Sequence, residues 1–296
     1  MISTLTVSGS LIVSGGLTVN QLARKGNLVV HLDASPSTYT AYPFNSGSFS
    51  VNNNSSSILD WPGRWNDISG NGNHAFPIKA VVADGTPEQI ISFSSSAFPL
   101  SSSYLNNGVL INTFSTIANP NTYQAFRLNP IQETTGPLSV FLWVRPRGST
   151  NLNQNFYINK RPNSGTTQAQ WQMVGSAGRF TTAIFYTGSY LDANSLAISS
   201  TTIFTINTWW NVGFTLTGNN AGDIFSIYVN GKLENSTVLT NSITYSSNQI
   251  IIGRNNWDST SNMMNAFLSQ VLIYNACLTP QEVWNNYQIT KYKHQV

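Results

Sequence analysis

Phe225-Ser-Ile-Tyr-Val-Asn-Gly-Lys232 decides the fold class. Phe225, Ile227 and Val229 alternate with Ser226, Tyr228 and Asn230, which is the period of a strand that turns one face to a core. Asn230-Gly231 follows at once. That dipeptide is the strongest short signal for a two-residue hairpin, because both central positions of such a turn need positive φ. Similar runs lie on either side: Leu28–Asp33, Gln89–Phe93, Leu138–Val144, Asn155–Lys160, Ala169–Val174, Phe180–Tyr186, Trp209–Thr217, Gln249–Ile252 and Phe267–Tyr274. Short strands parted by turn clusters predict an all-β protein with two sheets packed as a sandwich.

One helix is legible. Thr279-Pro-Gln-Glu282 places Thr at the N-cap, Pro at the first helical position and Glu at N3, a capping box with the helix-starting proline where it belongs. Val283, Trp284 and Tyr287 give the helix an apolar side. Glu282 is thereby committed to structure.

The 296-residue chain is 41% hydrophobic but only 8% charged, against about 25% in an average soluble protein. Asn, Ser and Thr must carry its solubility. That suits a β-rich surface or structural protein better than a helical cytosolic enzyme. The net charge of +3 is thinly spread. Its densest points, Arg145-Pro-Arg147 and Lys160-Arg161, are not basic runs, so no nucleic-acid partner is expected. The single cysteine, Cys277, excludes an intrachain disulfide framework. No stretch approaches the roughly 20 apolar residues of a membrane span, and residues 1–22 lack the pattern of a secretory signal. An extracellular role then implies another exit, such as release inside a virus particle.

The first residues are a repeat. Leu5-Thr-Val-Ser-Gly-Ser, Leu11-Ile-Val-Ser-Gly-Gly and Leu17-Thr-Val-Asn-Gln-Leu align as hexads. Leu5, Leu11 and Leu17, with Val7, Val13 and Val19, fall on one face of short strands. Six apolar side chains are too few to offset the backbone entropy of the segment that carries them. The tract must therefore lie on a larger domain or assemble with copies of itself. Residues 1–22 thus read as a β-repeat for trimerisation and anchoring, 23–27 as a linker, and 28–296 as the main domain. Such repeats before a globular head resemble the shafts and anchors of viral and phage fibre or capsid-associated proteins. The alternative is a small meander packed against the sandwich.

Residues 28–290 resemble the laminin-G-like, concanavalin-A-like jelly-roll family. Leu138-Ser-Val-Phe-Leu-Trp-Val-Arg-Pro146 is similar to its central strand. Trp210-Asn-Val-Gly-Phe-Thr215 with Phe225–Lys232 is similar to its hairpin, and Ile250-Ile-Ile-Gly-Arg254 to its "I-x-I-G" strand. Phe267–Glu282 is similar to its closing strand and terminal helix. Leu32-Asp-Ala34 with Trp65-Asn-Asp-Ile-Ser-Gly-Asn-Gly-Asn73 is similar to its opening strand and "D-x-S-G-N-G-N" turn. The resemblance implies a two-sheet jelly roll with a short C-terminal helix. It says less about function, since the fold serves lectins, adhesins, structural modules and some glycan-cleaving enzymes. One departure matters. Where relatives often place Gly and then an acid in the closing strand, this chain has Ala266 or Leu268 and Gln270, which weakens any calcium site drawn from that strand.

The acidic residues do not read as an active site. Related glucanases carry E-x-D-x-x-E on one strand, and this chain has no such pattern. Glu234 follows a hairpin and reads as solvated; Glu88 and Glu133 sit in loops. His31, His74 and His294 are scattered and suggest no triad. No enzyme activity is expected.

Two binding candidates remain. Trp257 sits among Asn255, Asn256 and Asp258 in a polar loop after a strand. An aromatic flanked by amides and a carboxylate suits a pyranose, which offers an apolar face and hydroxyls. The alternative is a tryptophan folded back on the sandwich. Trp143, Trp210 and Trp284 read as core; Tyr39, Tyr42 and Trp61 are weaker candidates. Asp67 and Asn71 offer the oxygen ligands that calcium takes, or they simply cap turns. Asn53, Asn54 and Asn235 head sequons that chance explains in so Asn- and Ser-rich a chain.

Together these readings give a non-enzymatic virion decoration or fibre protein: a homotrimer docked to capsid or fibre proteins, its lectin-like domain facing host glycans at the virion surface. The alternatives are a soluble, extracellular carbohydrate-binding lectin and a glycan hydrolase or lyase.

Overall fold

The computed structural model describes residues 22–23, 25–33, 39–41, 63–79, 109–112, 124–128, 136–146, 155–160, 170–186, 195–244, 249–253 and 264–294. In chain order the strands are β1 (Leu28–Asp33), β2 (Tyr39–Ala41), β3 (Gly63–Trp65), β4 (Ala75–Lys79), β5 (Val109–Asn112), β6 (Gln124–Leu128), β7 (Leu138–Pro146) and β8 (Asn155–Lys160). They continue as β9 (Trp171–Ser176), β10 (Arg179–Phe185), β11 (Ser195–Ile203), β12 (Trp210–Leu216), β13 (Ile224–Val229), β14 (Lys232–Val238), β15 (Ile250–Ile252) and β16 (Asn265–Tyr274). The helix α1 spans Pro280–Thr290.

Two antiparallel sheets form the expected jelly-roll sandwich. The first runs β1-β16-β7-β12-β13-β14, with β5 also paired to β16; the second runs β11-β10-β9-β8-β15-β6-β4-β3-β2. Val140, Leu142, Val144, Phe214, Phe225 and Ile227 of the first sheet bury against Phe126, Ile158, Met173, Ile184, Ile250 and Ile252 of the second in one cluster. The predicted hairpin is present. Asn230 and Gly231 both take positive φ, 49° and 76°.

The outer face of the first sheet differs from a plain alternating reading. Ser226 and Tyr228, on the side that alternation assigns to solvent, are buried. Over Tyr228 the cover is α1, which lies on that face, and Ser226 bonds to Ser236 of β14. Leu278 and Val283 pack there with Phe141, Tyr228, Leu272 and Tyr274. Gly213 on β12 lies opposite Phe141, where a Cβ would stand 2.1 Å from the ring. Any side chain at this position would collide with that ring.

The helix starts as read. Thr279 accepts from the Glu282 N–H, and Glu282 accepts from the Thr279 N–H at 2.8 Å. Among the described residues no helix is long and apolar enough to cross a membrane.

Candidate functional site

The connection that carries Trp257 has a closed neck. The chain leaves the second sheet at Gly253, whose N–H donates to the Tyr157 carbonyl and whose carbonyl accepts from the Met264 N–H, both at 2.9 Å. It enters the first sheet at Asn265. Trp257, Asn255, Asn256 and Asp258 fall between these points, outside the described residues.

The neighbouring strands set the company of that connection. β15 pairs with β6 on one side and β8 on the other. In the first sheet, the start of β16 pairs with the end of β5 (Asn265 with Asn112) and the end of β7 (Ala266 with Pro146). The β5–β6, β7–β8 and β15–β16 connections are thus rooted side by side at one end of the sandwich. Their sequences, 113–123, 147–154 and 254–263, are rich in Asn, Ser and Thr, with Phe114, Tyr123 and Trp257 as aromatics.

The N-terminal tract arrives at the opposite end. Leu28 pairs with Tyr274, the last residue of β16, and the ten-residue strand separates the two ends by about 30 Å. The residues read as a linker are tied down. Asn27 exchanges hydrogen bonds with Asn275, accepting at its carbonyl at 3.0 Å and donating from its side chain at 3.2 Å. The Ala23 N–H donates to Asn286 Oδ1 of α1 at 2.8 Å. Leu22 packs on the cluster of Leu28, Leu278 and Val283. The hexads, with Leu5, Val7, Leu11, Val13, Leu17 and Val19, lie outside the described residues, as do Tyr42, Trp61, Asn53, Asn54, Glu88 and Glu133.

Asp67, the first calcium candidate, is enclosed by donors. One carboxylate oxygen accepts from the His31 N–H (2.8 Å) and the Ser69 N–H (2.9 Å); the other accepts from Ser69 Oγ (2.8 Å) and the Asn73 N–H (2.9 Å). Asn71 turns its amide nitrogen to the Leu28 carbonyl at 2.7 Å, and Asn73 does the same to Val29 at 2.8 Å. These bonds stitch the β3–β4 turn onto the edge of β1. They hold the turn in place, and four of them direct donor hydrogens at the two Asp67 oxygens that an ion would need. His74 Nδ1 accepts from the Asp67 N–H at 3.0 Å.

The other described acids are likewise engaged in structure. Glu234, read as solvated, instead reaches across to β11. It accepts from the N–H and hydroxyl of both Thr201 and Thr202. Those bonds outweigh its desolvation and hold its carboxyl below the usual range. Asp223 accepts from Thr217 Oγ1 and the Asn220 N–H, and Asp33 pairs with Lys293 at 2.5 Å. Among the described residues no group of three or more His, Cys, Asp and Glu side chains is arranged to hold a metal.

Two histidines are buried in unexpected company. His294, read as lying in a tail, stacks on Trp143 at 3.9 Å between ring centroids, meets Trp209 edge-on at 5.0 Å and bonds to Ser269 Oγ. His31 lies 3.2 Å from Gln270 Nε2. Burial lowers the pKa of His294 to about 3 and that of His31 to about 4. Neither partnership has a local sequence signal, because both join residues far apart in the chain.

The sequence profile of the concanavalin A-like lectin/glucanases superfamily matches residues 119–284, more than half of the chain. The chain belongs to that superfamily. No curated protein matches it. Among solved structures, the receptor-binding domain of botulinum neurotoxin type G aligns at 18% identity with a TM-score of 0.54, over 89% of this chain and 51% of that one. The binding domain of Paraclostridial mosquitocidal protein 1 aligns at 15% identity and 0.55, over 89% and 52%. A botulinum neurotoxin type C structure, which concerns interaction with two ganglioside molecules, aligns at 12% identity and 0.58, over 90% and 52%. The chain spans about half the length of these structures, and at such identities the likeness is one of fold. Within the superfamily, then, this chain has the lectin-like sandwich, and its described carboxylates cap, latch or pair.

Proposed function

We propose that this chain is a non-enzymatic glycan-binding head of a virion decoration or fibre protein. Its N-terminal repeat is the mount, and the connections around Trp257 are the binding end. One observation carries the reading: the tract enters at one end of the sandwich, and the Trp257 connection is rooted at the other. A head held at its base presents its far end outward. Three polar connections are rooted at that end, and in this proposal Trp257 stacks on a pyranose while Asn255, Asn256 and Asp258 bond its hydroxyls. Asp67 and Asn71 serve the turn, and calcium is not required by this reading. The superfamily's lectin members and the ganglioside interaction reported for the type C toxin support glycans as the ligand class. The engagement of Glu234, Glu282, Asp67 and Asp223 in structural bonds supports a binder over a hydrolase or lyase.

The repeat assembles as a homotrimer that docks to capsid or fibre proteins and places the head at the virion surface. Mass in solution for the full chain and for residues 23–296 tests this. A trimer that becomes a monomer on truncation is the expected result; a monomer in both forms contradicts it. A second reading, a soluble extracellular lectin, is favoured by one contact: Leu22 and Ala23 already pack on α1 of their own chain, so the repeat can continue over the same domain. The same mass measurement separates the two.

A further inference from the structure

We propose that Lys291–His294 is an acid-released strap which, when it lifts, uncovers Trp143, Trp209 and Phe267 on the outer face of the first sheet. Three ties hold it. Lys293 Nζ lies 2.5 Å from Asp33 Oδ2 of β1. His294 bonds to Ser269 Oγ of β16 through Nε2 and to the Thr290 carbonyl through Nδ1, the latter at 3.0 Å. Its ring lies parallel to the Trp143 indole, within 7°, and meets Trp209 edge-on. Trp143, Trp209 and Phe267 form a small cluster of their own, apart from the core between the sheets, and are at most 5% exposed. The imidazole of His294, itself 5% exposed, is part of their cover.

The charges around the strap make that cover sensitive to protons. The neighbouring Lys293 ammonium disfavours a cation on His294. Asp33, the carboxylate that could compensate, is held by Lys293 and also faces His31, whose Nε2 is 3.9 Å away. Asp67 acts on His31 from the β3–β4 turn. Arg145 of β7 lies over the Phe267 ring at 5.5 Å, and Lys291 over Tyr287 of α1 at 5.7 Å. Among the described residues cations therefore outnumber anions at the strap, and both histidines are buried neutral.

The direction follows from linkage. A histidine whose pKa is lower in the closed state binds more protons once the strap opens. The closed state is at full strength above the ordinary histidine value of 6.5 and weakens as pH falls from there toward the closed-state values, about 4 for His31 and about 3 for His294. Each histidine shifts the closed-to-open ratio by up to about tenfold per pH unit.

Hydrogen exchange of the full chain between pH 7.5 and 4.5, corrected for the intrinsic pH dependence of exchange, tests the strap. Amides of 287–294 should lose protection by about tenfold or more per unit below 6.5, while β7, β12 and β16 stay protected. Dye binding to exposed apolar surface should rise in parallel. His294→Phe keeps a ring on Trp143 but cannot take a proton, and should remove the His294 share of the slope. His31→Asn provides a second arm should that ring fit poorly, and should reduce the slope without disturbing the aromatic cover. A strap whose protection is flat across this range, or rises in acid because the indole holds an imidazolium by cation–π attraction, overturns the proposal. So does loss of protection that occurs only together with the whole sandwich.

Discussion

Glu234 and Asp67 do similar work at opposite edges of the sandwich. An edge strand carries unpaired N–H and C=O groups that invite a foreign strand. Glu234 takes the N–H groups of Thr201 and Thr202 on edge strand β11, and Asn235 Nδ2 donates to the Ser199 carbonyl at 3.2 Å. Asn71 and Asn73, held by the Asp67 turn, cover carbonyls of edge strand β1. Glu234→Ala should therefore lower stability by about 1–2 kcal/mol, since charge-assisted bonds are lost at a partly exposed site; urea unfolding measures it. The Glu234 carboxyl titrates below its ordinary value, so its contribution is present above the unfolded-state pKa and is lost as pH falls through the folded-state one. Asp67→Ala strips acceptors from three backbone N–H groups and should cost about 2–4 kcal/mol. Adding a chelator to the unmutated protein should leave its melting midpoint unchanged, and a drop in the midpoint would restore calcium to this turn. At this scale the sequence was half legible. The D-x-S-G-N-G-N turn announces its own hydrogen bonding, because Asx turns are local. Lys232-Leu-Glu234 says nothing of Thr201, because that partner arrives through the tertiary fold.

At the scale of elements, nine of the sixteen described strands and the helix were legible because their signals are local; β2–β6, β11 and β14 were not among the strands read from the sequence, and Gln89–Phe93 lies outside the described residues. Period-two alternation, Asn230-Gly231 and the Thr279–Glu282 capping box all appear where the sequence puts them. The second face of β12 and β13 was not. Alternation describes a sheet with one wet side, whereas α1 covers the other side of this one. Tyr228 and Gly213 belong to that layer. Gly213→Ala forces a Cβ into the Phe141 ring and the Val140 carbonyl, 2.5 Å away. It should cost about 1–3 kcal/mol, as overpacking does, read as a lower denaturation midpoint. Phe141→Leu should recover part of that loss, which a general strand-propensity effect would not show. The helix also joins the N-terminal tract to the head, since Asn286 accepts from Ala23 and donates to Tyr274 Oη at 3.0 Å. Arg24-Lys-Gly-Asn27 reads as a short linker, and the amides that Ala23 and Asn27 meet sit more than two hundred residues downstream.

At the scale of the whole molecule, the jelly roll turns a linear order of strands into an axis with two different ends. The β15–β16 connection and the N-terminal root are separated in sequence and in space, and the strand they share, β16, fixes the distance between them. This polarity is the strongest argument for a mounted, outward-reading head. It was invisible in the sequence, where the hexads and Trp257 are unrelated motifs. Glycan binding at the end where the Trp257 connection is rooted is decided by glycan-array binding of the full chain and of Trp257→Ala. The unmutated chain should bind a defined set of glycans, and the variant, folded to the same melting midpoint, should lose at least about tenfold in affinity, as removal of one stacked aromatic does. Equal binding by both, or no binding by either, would contradict it.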